Sequence, residues 1–253
     1  MTKKESFIII DGNALLHRAY HALPPMTTQD GILVNAVYGF TTTLLKIIKE
    51  LKPDYLCAAF DRKGVSRRTE DFAAYKAQRI KQPDELYAQI PLIEDVLTAF
   101  DIPVVESLEP GWEADDVIGS VVTELKKQTD LKKIIVTGDL DTLQLVNGQT
   151  EVFTMKKGLS ETITYDETAI VDRFGLTSAQ MIDYKALRGD PSDNIPGVSG
   201  IGEKTAIELL KNFHTLENIY EAIDSNSKKI SEIKSKKMSS LQRRRPAIFQ
   251  RAN

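Results

Sequence analysis

Apolar residues occur along the chain in two kinds of run, which predict alternating strands and helices. Continuous apolar runs, such as Phe7–Ile10, which is β-branched at three of four positions, Asp54–Phe60 and Lys133–Val136, are typical of buried parallel strands. The segments Asn35–Leu51 and Leu86–Phe100 repeat their apolar residues at helical spacing instead. Strands that alternate with helices predict an α/β fold with a mainly parallel sheet and helices on both of its faces.

Weaker patterns extend this sheet. Pro103–Glu106 is typical of a short strand, and Val152–Met155 and Glu161–Thr164 predict edge strands or a hairpin around Lys157-Gly158. A helix is expected directly after Phe7–Ile10, through Arg18. These additions complete a predicted domain that ends near residue 176.

Three of the predicted strands deliver an aspartate at the carboxyl end, namely Asp11, Asp61 and Asp139. In open parallel sheets, sites form outside those ends. One such aspartate is usually a turn or helix-cap residue. Three of them, together with Asp141 and the acidic motif that follows, favour a shared site.

The acidic motif is Gly111–Asp116, in which Glu113, Asp115 and Asp116 lie within four positions and precede a predicted amphipathic helix. The three carboxylates converge if the helix begins inside the motif, with Glu113 still in the turn. Their mutual repulsion raises their pKa values, and a hard cation such as Mg²⁺ or Mn²⁺ reverses that. The alternative is a solvated acidic helix N-terminus, which the helix dipole favours.

The segment Arg62–Pro83 lacks a sustained apolar face and interleaves basic residues with Phe72 and Tyr75. It is either a solvated surface loop or a mobile basic arch, about residues 62–83, that contacts phosphates. The arch is favoured because the segment directly follows Asp61. Its basic residues are Arg62, Lys63, Arg67, Arg68, Lys76, Arg79 and Lys81.

A different pattern begins near Thr177. Two predicted helices, Thr177–Leu187 and Glu203–Phe213, flank a glycine-rich stretch and predict a helix–hairpin–helix over residues 177–225. Glycines let a backbone approach a ligand closely, and the amides of the second helix would point at a phosphate. Asp190 and Asp193 precede the hairpin. The residues expected to contact the ligand are Gly197, Gly200, Gly202, Lys204 and Thr205.

Composition limits the class of protein. The 253 residues are 42% hydrophobic and 27% charged, as in ordinary globular proteins, and no apolar stretch approaches a membrane span. The single cysteine, Cys57, excludes an internal disulfide and fits a reducing cytoplasm. The net charge of −3 conceals a basic, poorly patterned tail, residues 226–253, which has nine basic residues and one acid. The acidic remainder fits a body whose carboxylates hold cations.

With these residues in view, the chain resembles the bacterial 5′-nuclease family, the flap endonuclease-like 5′→3′ exonucleases found as the N-terminal domain of DNA polymerase I and as free-standing proteins. The resemblance covers roughly residues 6–223. The motifs that carry it are Ile10-Asp11-Gly12, Phe60-Asp61, Tyr75-Lys76, Gly111-x-Glu113-Ala114-Asp115-Asp116, Thr137-Gly138-Asp139-x-Asp141 and the run from Gly189 to Ala206.

The resemblance implies a PIN-like α/β domain with a helical arch, and a helix–hairpin–helix that grips duplex DNA and holds a monovalent cation such as K⁺. It implies two-metal hydrolysis of DNA with a free 5′ end or 5′ flap, with Mg²⁺ in two sites and Mn²⁺ as a substitute. Arg18, Arg68, Lys76 and Arg79 match the basic residues that steer the scissile phosphate. The matching metal ligands are Asp11, Asp61, Glu113, Asp115 and Asp116 for the first ion and Asp139, Asp141, Asp190 and Asp193 for the second.

The chain departs from the family's pattern in three places. Arg67 stands where the family usually has an aromatic residue, and Leu140 stands where it commonly has a lysine. The family also continues past this length with helices that pack on the nuclease domain, so truncation or an altered reading frame would explain residues 242–253. Neither substitution removes a predicted ligand.

Two other functions remain open. A PIN-type ribonuclease would cut single-stranded RNA, but it would not need a helix–hairpin–helix to grip a duplex. A non-catalytic branched-DNA-binding module would bind without cutting, but the full set of nine carboxylates argues against decay. A cytoplasmic monomer that works alongside a DNA polymerase, without contact with membranes, is expected.

Overall fold

The structure, a computed structural model, describes residues 4–61, 64, 66–107, 109–157, 161–225 and 241. The chain divides into two compact units, of which the first comprises residues 1–71 and 80–166 and the second residues 72–79 and 167–253. Part of the predicted arch therefore belongs to the second unit. The predicted basic tail, apart from Leu241, and the centre of the predicted hairpin at Gly158 lie outside the described residues.

The first unit contains a six-stranded sheet in the order β3-β2-β1-β4-β5-β6, which confirms the predicted mainly parallel sheet. All neighbouring strands are parallel except β5 and β6, which are antiparallel. The strands are β1 Glu5–Asp11, β2 Tyr55–Ala59, β3 Val104–Val105, β4 Leu131–Val136, β5 Thr150–Lys157 and β6 Glu161–Tyr165.

Residues of β1 alternate between the two faces of this sheet, as strand geometry requires. Ile8 and Ile10 are fully buried in a cluster with residues of the helices on one face, among them Leu44 and Leu97. Ile9, also fully buried, points to the opposite face, where α6 contacts β1 and β2. The helices of the unit are α1 Gly12–Ala22, α2 Asn35–Leu51, α3 Arg67–Asp71, α4 Asp84–Tyr87, α5 Ile90–Ala99 and α6 Ala114–Glu124.

The prediction of one helix over Leu86–Phe100 is wrong, since the structure divides it into α4 and α5. Pro91 lies in the first turn of α5, where it is tolerated, whereas inside a continuous helix it would remove a hydrogen bond and clash with a carbonyl. Gln89 lies in the break. Its side-chain oxygen accepts the N–H groups of Ala36 and Val37, at 2.9 and 3.3 Å, and caps α2 in place of Val34.

The second unit is mainly helical. The helix predicted over Thr177–Leu187 begins as a short 3₁₀ turn, Ser178–Gln180, whereas the helix predicted over Glu203–Phe213 has those bounds in the structure. Leu209 and Leu210, among other apolar residues, are buried in this unit. Its elements are α7 Glu167–Phe174, α8 Met181–Arg188, β7 Gly189–Asp190, β8 Ile195–Pro196, α9 Glu203–Phe213 and α10 Leu216–Asp224, with β7 and β8 antiparallel.

Within the described part of the chain, none of the helices is both long and apolar enough to cross a membrane.

Candidate functional site

Asp11 ends β1 and caps α1, and its carboxylate is held on both oxygens. Oδ1 accepts the N–H of Ala14 at 2.9 Å and Oδ2 accepts the hydroxyl of Thr137 at 2.7 Å. The side chain is buried, and that burial, together with the smaller effect of the Asp61 and Asp139 charges, raises its pKa to about 6 against the opposing hydrogen bonds. A negative charge is therefore unfavourable here unless a cation accompanies it.

The residue after Asp11 must be glycine. A Cβ on Gly12 would collide with the ring of Phe60, which lies at the end of the neighbouring strand β2. This contact brings the carboxyl ends of β1 and β2 together. Asp61, which follows Phe60, is exposed, and its Oδ1 accepts the N–H of Ala114 at 2.6 Å.

Ala114 is the first residue of α6, and Glu113 precedes it as the N-cap. The predicted helix start inside the acidic motif is thus confirmed. The N–H of Glu113 donates to Oδ2 of Asp116 at 2.9 Å, which fixes the Asp116 carboxylate at the helix N-terminus. Asp115 lies in the same first turn. Gly111 opens the turn with a φ of +89°, a conformation that favours glycine.

A basic side chain already offsets part of the negative charge of this turn. Arg68 of α3 donates through Nη1 and Nη2 to the two carboxylate oxygens of Asp116, at 2.9 and 2.6 Å. Its Nη1 also lies 3.3 Å from Oε2 of Glu113. A fork-to-fork pair of this kind is the stronger type of ion pair. Arg68, predicted to steer a phosphate, is therefore paired here with two predicted metal ligands.

The loop after β4 places two further carboxylates. The N–H of Asp139 donates to the hydroxyl oxygen of Thr137 at 2.9 Å, and Oδ1 of Asp139 accepts the N–H of Asp141 at 2.8 Å. Thr137 thus connects this loop with Asp11, a role that the sequence analysis missed. A hydroxyl residue directly after a buried strand and two positions before an aspartate was the available signal.

Arg18 lies one turn along α1 from Ala14. One of its guanidinium nitrogens is 3.9 Å from the position that a Cβ on Gly138 would take, so Arg18 lies beside the loop that carries Asp139. Burial lowers its pKa. We call the seven carboxylates of the first unit its acidic edge; they are Asp11, Asp61, Glu113, Asp115, Asp116, Asp139 and Asp141.

The second unit carries the other two predicted ligands in an acidic loop, residues 189–194. Asp190 is buried, and its Oδ2 accepts Nζ of Lys185 at 2.6 Å. Its Oδ1 accepts the N–H and the hydroxyl of Ser192, at 2.8 and 2.5 Å. Burial alone would raise the pKa of Asp190, but the bonds from Lys185 and Ser192 outweigh it and hold the pKa at about 2. Asp190 therefore stays ionised at neutral pH. Because these ligands belong to the second unit, a metal site shared with Asp139 and Asp141 stays a prediction.

Residues 72–79 attach the basic segment to this loop within the second unit. Nη2 of Arg79 lies 2.5 Å from Oδ1 of Asp193, and the N–H of Lys76 donates to the Asp193 carbonyl at 3.0 Å. The amide of Asn194 donates to the carbonyl of Ala74 at 2.7 Å. Lys76 has a φ of +53° and its Nζ lies 4.7 Å from the Tyr75 ring centroid. The chemistry repeats that of Arg68, since a predicted phosphate-steering cation meets a predicted metal ligand.

The glycines of the hairpin differ from one another. A Cβ on Gly197 would collide with the carbonyl of Arg188, so internal packing already requires glycine there. Gly200 has a φ of +83°, which a turn requires. Gly202 is the N-cap of α9, with no atom near its Cβ position, and Lys204 beside it is exposed. Thr205 follows in the first turn. Close approach by a phosphate therefore stays a prediction that Gly202 fits better than Gly197.

Two family matches cover most of the chain. Residues 6–175 match the 5′-3′ exonuclease N-terminal resolvase-like domain, and residues 176–249 match the 5′-3′ exonuclease C-terminal SAM fold. The chain is 44% identical over 227 residues to DNA polymerase I of Caldicellulosiruptor bescii, which is 89% of this chain and 26% of the relative. It is 42% identical over 233 residues to DNA polymerase I of Bacillus subtilis, covering 92% of this chain and 26% of that protein. The chain thus spans about a quarter of these relatives' length.

Solved structures show the same fold. The T5 5′-exonuclease with bound divalent metal ions (zinc) aligns with a TM-score of 0.74 at 22% identity, over 98% of this chain and 88% of that one. The catalytic core of Rad2 in complex with DNA substrate aligns with a TM-score of 0.61 at 18% identity, over 94% of this chain and 72% of that one. At these identities the likeness concerns the fold.

Proposed function

The chain belongs to the 5′-3′ exonuclease family, and we propose from that premise that it is a nuclease which hydrolyses DNA phosphodiester bonds near a free 5′ end or a 5′ flap. The observation that carries the proposal is that the matched regions contain the acidic edge, built at the carboxyl ends of β1, β2 and β4 and at the N-terminus of α6. Exonuclease and structure-specific flap cleavage would both use this edge. We propose only nuclease activity for this chain and do not propose DNA polymerase activity.

The acidic edge suits a divalent cation. Its donors are carboxylate oxygens, the ligands that Mg²⁺ and Mn²⁺ prefer. The raised pKa of Asp11 reflects burial beside like charges, which a cation would relieve. The guanidinium of Arg68 already occupies both oxygens of Asp116 as a positive charge. When bound, two metal ions supply an activated water and stabilise the leaving 3′ oxygen.

The residues have the following proposed roles. Ala14, Thr137 and Ala114 fix the orientation of Asp11 and Asp61 through hydrogen bonds, so that these ligands need little reorganisation. The first ion would be held by Asp11, Asp61, Glu113, Asp115 and Asp116, directly or through water, and the second by Asp139, Asp141, Asp190 and Asp193. Arg18, Arg68, Lys76 and Arg79 would offset the charge that develops on the scissile phosphate.

The helix–hairpin–helix would hold duplex DNA through its backbone, without reading sequence. The exposed N-terminus of α9, with Gly202 and Lys204, supports this, because the N–H groups and the dipole at a helix start favour a phosphate. We extend the proposal to a K⁺ ion at this hairpin and to products with 5′-phosphates. We also propose that the protein is a cytoplasmic monomer that acts with a DNA polymerase.

The experiment compares matched substrates. The chain is incubated with a 5′-flap DNA duplex labelled at either end, with the same duplex carrying an RNA flap, and with single-stranded RNA, in Mg²⁺, in Mn²⁺ and in EDTA. We expect release of 5′ fragments from the DNA flap in Mg²⁺ and none in EDTA.

The other outcomes identify the alternatives. Preferential cleavage of single-stranded RNA would contradict the proposal and favour a PIN-type ribonuclease. Flap binding in a gel-shift assay, without cleavage at any Mg²⁺ or Mn²⁺ concentration, would contradict it in favour of a non-catalytic DNA-binding module.

A further inference from the structure

The short helix α3 is docked on the acidic motif by three contacts within the first unit. The first is the paired hydrogen bond from Arg68 to Asp116. The second is the guanidinium of Arg67, which lies 4.7 Å from the centroid of the Trp112 ring. The third is the N–H of Arg67, which donates to the carbonyl of Gly111 at 2.9 Å. Two adjacent arginines thus clasp one turn of the chain.

Arg68 contacts the same carboxylate oxygens, on Asp116 and Glu113, that would bind a metal ion in the proposed function. Both carboxylate oxygens of Asp116 accept from Arg68, and Oε2 of Glu113 lies 3.3 Å from the same guanidinium. A guanidinium and a divalent cation compete for such oxygens, since both are attracted by the same negative charge. Occupation by one therefore weakens occupation by the other.

The contacts of Arg67 and Arg68 with the acidic motif are also exposed enough to solvent to be broken. The Arg68 side chain is 41% exposed, against 18% for Asp116, so water can replace the guanidinium's hydrogen bonds. The fork-to-fork geometry makes the ion pair of the stronger type, but its exposure lets water and ions compete for it, and the single cation–π contact is weak. Trp112, itself 38% exposed, stays attached to the turn through its neighbours in the chain and through Glu109, which accepts its indole N–H at 3.3 Å.

We propose that α3 is a latch displaced by the divalent cation: Arg67 and Arg68 hold α3 on the acidic motif, and a cation that takes Asp116 and Glu113 releases α3. The proposal rests on the proposed function, because it requires a cation at these acids. Release frees the Arg68 guanidinium for a substrate phosphate only once the cation is in place. Arg67 is a positioning residue, because it acts through its stack on Trp112.

The chain provides its own reporter, because Trp112 is its one tryptophan. Mg²⁺ is titrated into the full chain without DNA, at constant ionic strength, with fluorescence and calorimetry followed side by side. We expect Trp112 emission to change with the same midpoint as the heat of Mg²⁺ binding. Mg²⁺ is diamagnetic, so the change reports the environment of the indole.

Variants separate the latch from the metal site. In Arg67→Ala, Mg²⁺ should still bind while the change in emission is lost, and Arg67→Lys should restore part of it. In Arg68→Ala, the Mg²⁺ dissociation constant should fall roughly threefold to tenfold, because the competing cation is gone. The matched control is Arg173→Ala, which removes another stacked arginine, 4.9 Å from the Phe174 ring centroid, and should change neither reading.

The outcomes distinguish this inference from the function on which it rests. Calorimetric binding of Mg²⁺ with unchanged Trp112 emission, and no tighter binding by Arg68→Ala, would overturn the latch and leave the metal site intact. Absence of Mg²⁺ binding to the wild type and to every variant would overturn both. Thermal unfolding in EDTA checks that each variant is folded, and Arg67→Ala carries the test if Arg68→Ala is not.

Discussion

The acidic edge of the first unit and the acidic loop of the second solve one electrostatic problem in different ways. Each neutralises a carboxylate with a basic side chain. At the edge, the partner of Asp116 is Arg68, which lies 48 residues away in the chain and on a short, partly exposed helix. In the loop, the partner of Asp190 is Lys185, five residues away, and Ser192 supplies two further hydrogen bonds.

The backbone of the acidic loop is also more constrained than the backbone of the acidic motif. The acidic loop begins at Gly189, with a φ of +80°, and closes through β7 and β8, where Gly197 packs against the carbonyl of Arg188. The acidic motif only has to start a helix. The comparison indicates that the edge can exchange its cation without unfolding, whereas the loop is part of the folded framework.

The largest effect on stability should follow from a methyl group added just after the acidic loop, at Gly197. Gly197→Ala would force a Cβ into the Arg188 carbonyl, and we expect a loss of about 3 kcal/mol in the free energy of unfolding, from overpacking against rigid backbone. Urea denaturation measures it. The control is Gly202→Ala, whose Cβ would lie in open space and should cost under about 1 kcal/mol. Equal losses for both would show that the loop is not a rigid framework.

At the acidic edge, we expect a substitution that increases the free energy of unfolding. The pKa of Asp11 is about 6 when folded and 3.8 ordinarily, so its ionised form destabilises the folded protein. That cost appears between pH 4 and 6 and is complete above pH 6. In EDTA at pH 7, Asp11→Asn should therefore be more stable than the wild type by about 2 kcal/mol, after a loss of about 1 kcal/mol at the Thr137 hydrogen bond.

Two conditions test the origin of this gain. Well below pH 4 the gain should give way to the loss of about 1 kcal/mol at the Thr137 hydrogen bond, because Asp11 is then protonated in both states of the protein. Saturating Mg²⁺ should reduce or reverse the stability gain of Asp11→Asn over the wild type, because a cation that binds only the folded wild type stabilises that protein. Lower stability of Asp11→Asn at pH 7 in EDTA would contradict the account.

The smallest effect is expected from Asp183 of α8, a half-buried acid that lies outside both acidic regions. Burial raises its pKa, against the N–H of Leu216, and Glu217 raises it further. The folded pKa lies above the unfolded one, so ionisation costs stability as pH rises through this interval. Asp183→Asn should give a gain in thermal stability at pH 7, smaller than that of Asp11→Asn and absent in acid. This gain should not change when Mg²⁺ is added, unlike the gain from Asp11→Asn. A change with Mg²⁺ would show that sensitivity to the cation is not confined to the acidic edge.

Much of the first unit could be predicted from its sequence. Apolar runs are dictated by burial on both faces of a parallel sheet, so β1, β2 and β4 and the aspartates after them follow from local pattern. The start of α6 at Ala114 followed from the need of three acids to converge. Strong helical periodicity gave α2 its bounds, and in the second unit the residues after the glycine-rich stretch gave α9 its bounds.

The remainder depends on contacts between residues that are distant in the chain. No local pattern indicates that Gln89 interrupts one helix in order to cap another. The pairs of Arg68 with Asp116 and Arg79 with Asp193 join segments 48 and 114 residues apart, and charge alone allowed many other pairings. The steric requirement at Gly197 was likewise visible only once the Arg188 backbone was in place.

If the acidic edge holds the cation for DNA cleavage, removing one of its carboxylates must slow the reaction, and single-turnover cleavage of a 5′-labelled flap duplex by Asp116→Asn measures that change. The matched control is Asp95→Asn, an exposed aspartate on α5 outside the edge. We predict that the wild type and Asp95→Asn release 5′ fragments at equal rates in Mg²⁺ and not in EDTA, and that Asp116→Asn is at least about 100-fold slower. Cleavage by Asp116→Asn at the wild-type rate, or wild-type cleavage that persists in EDTA, would contradict the account.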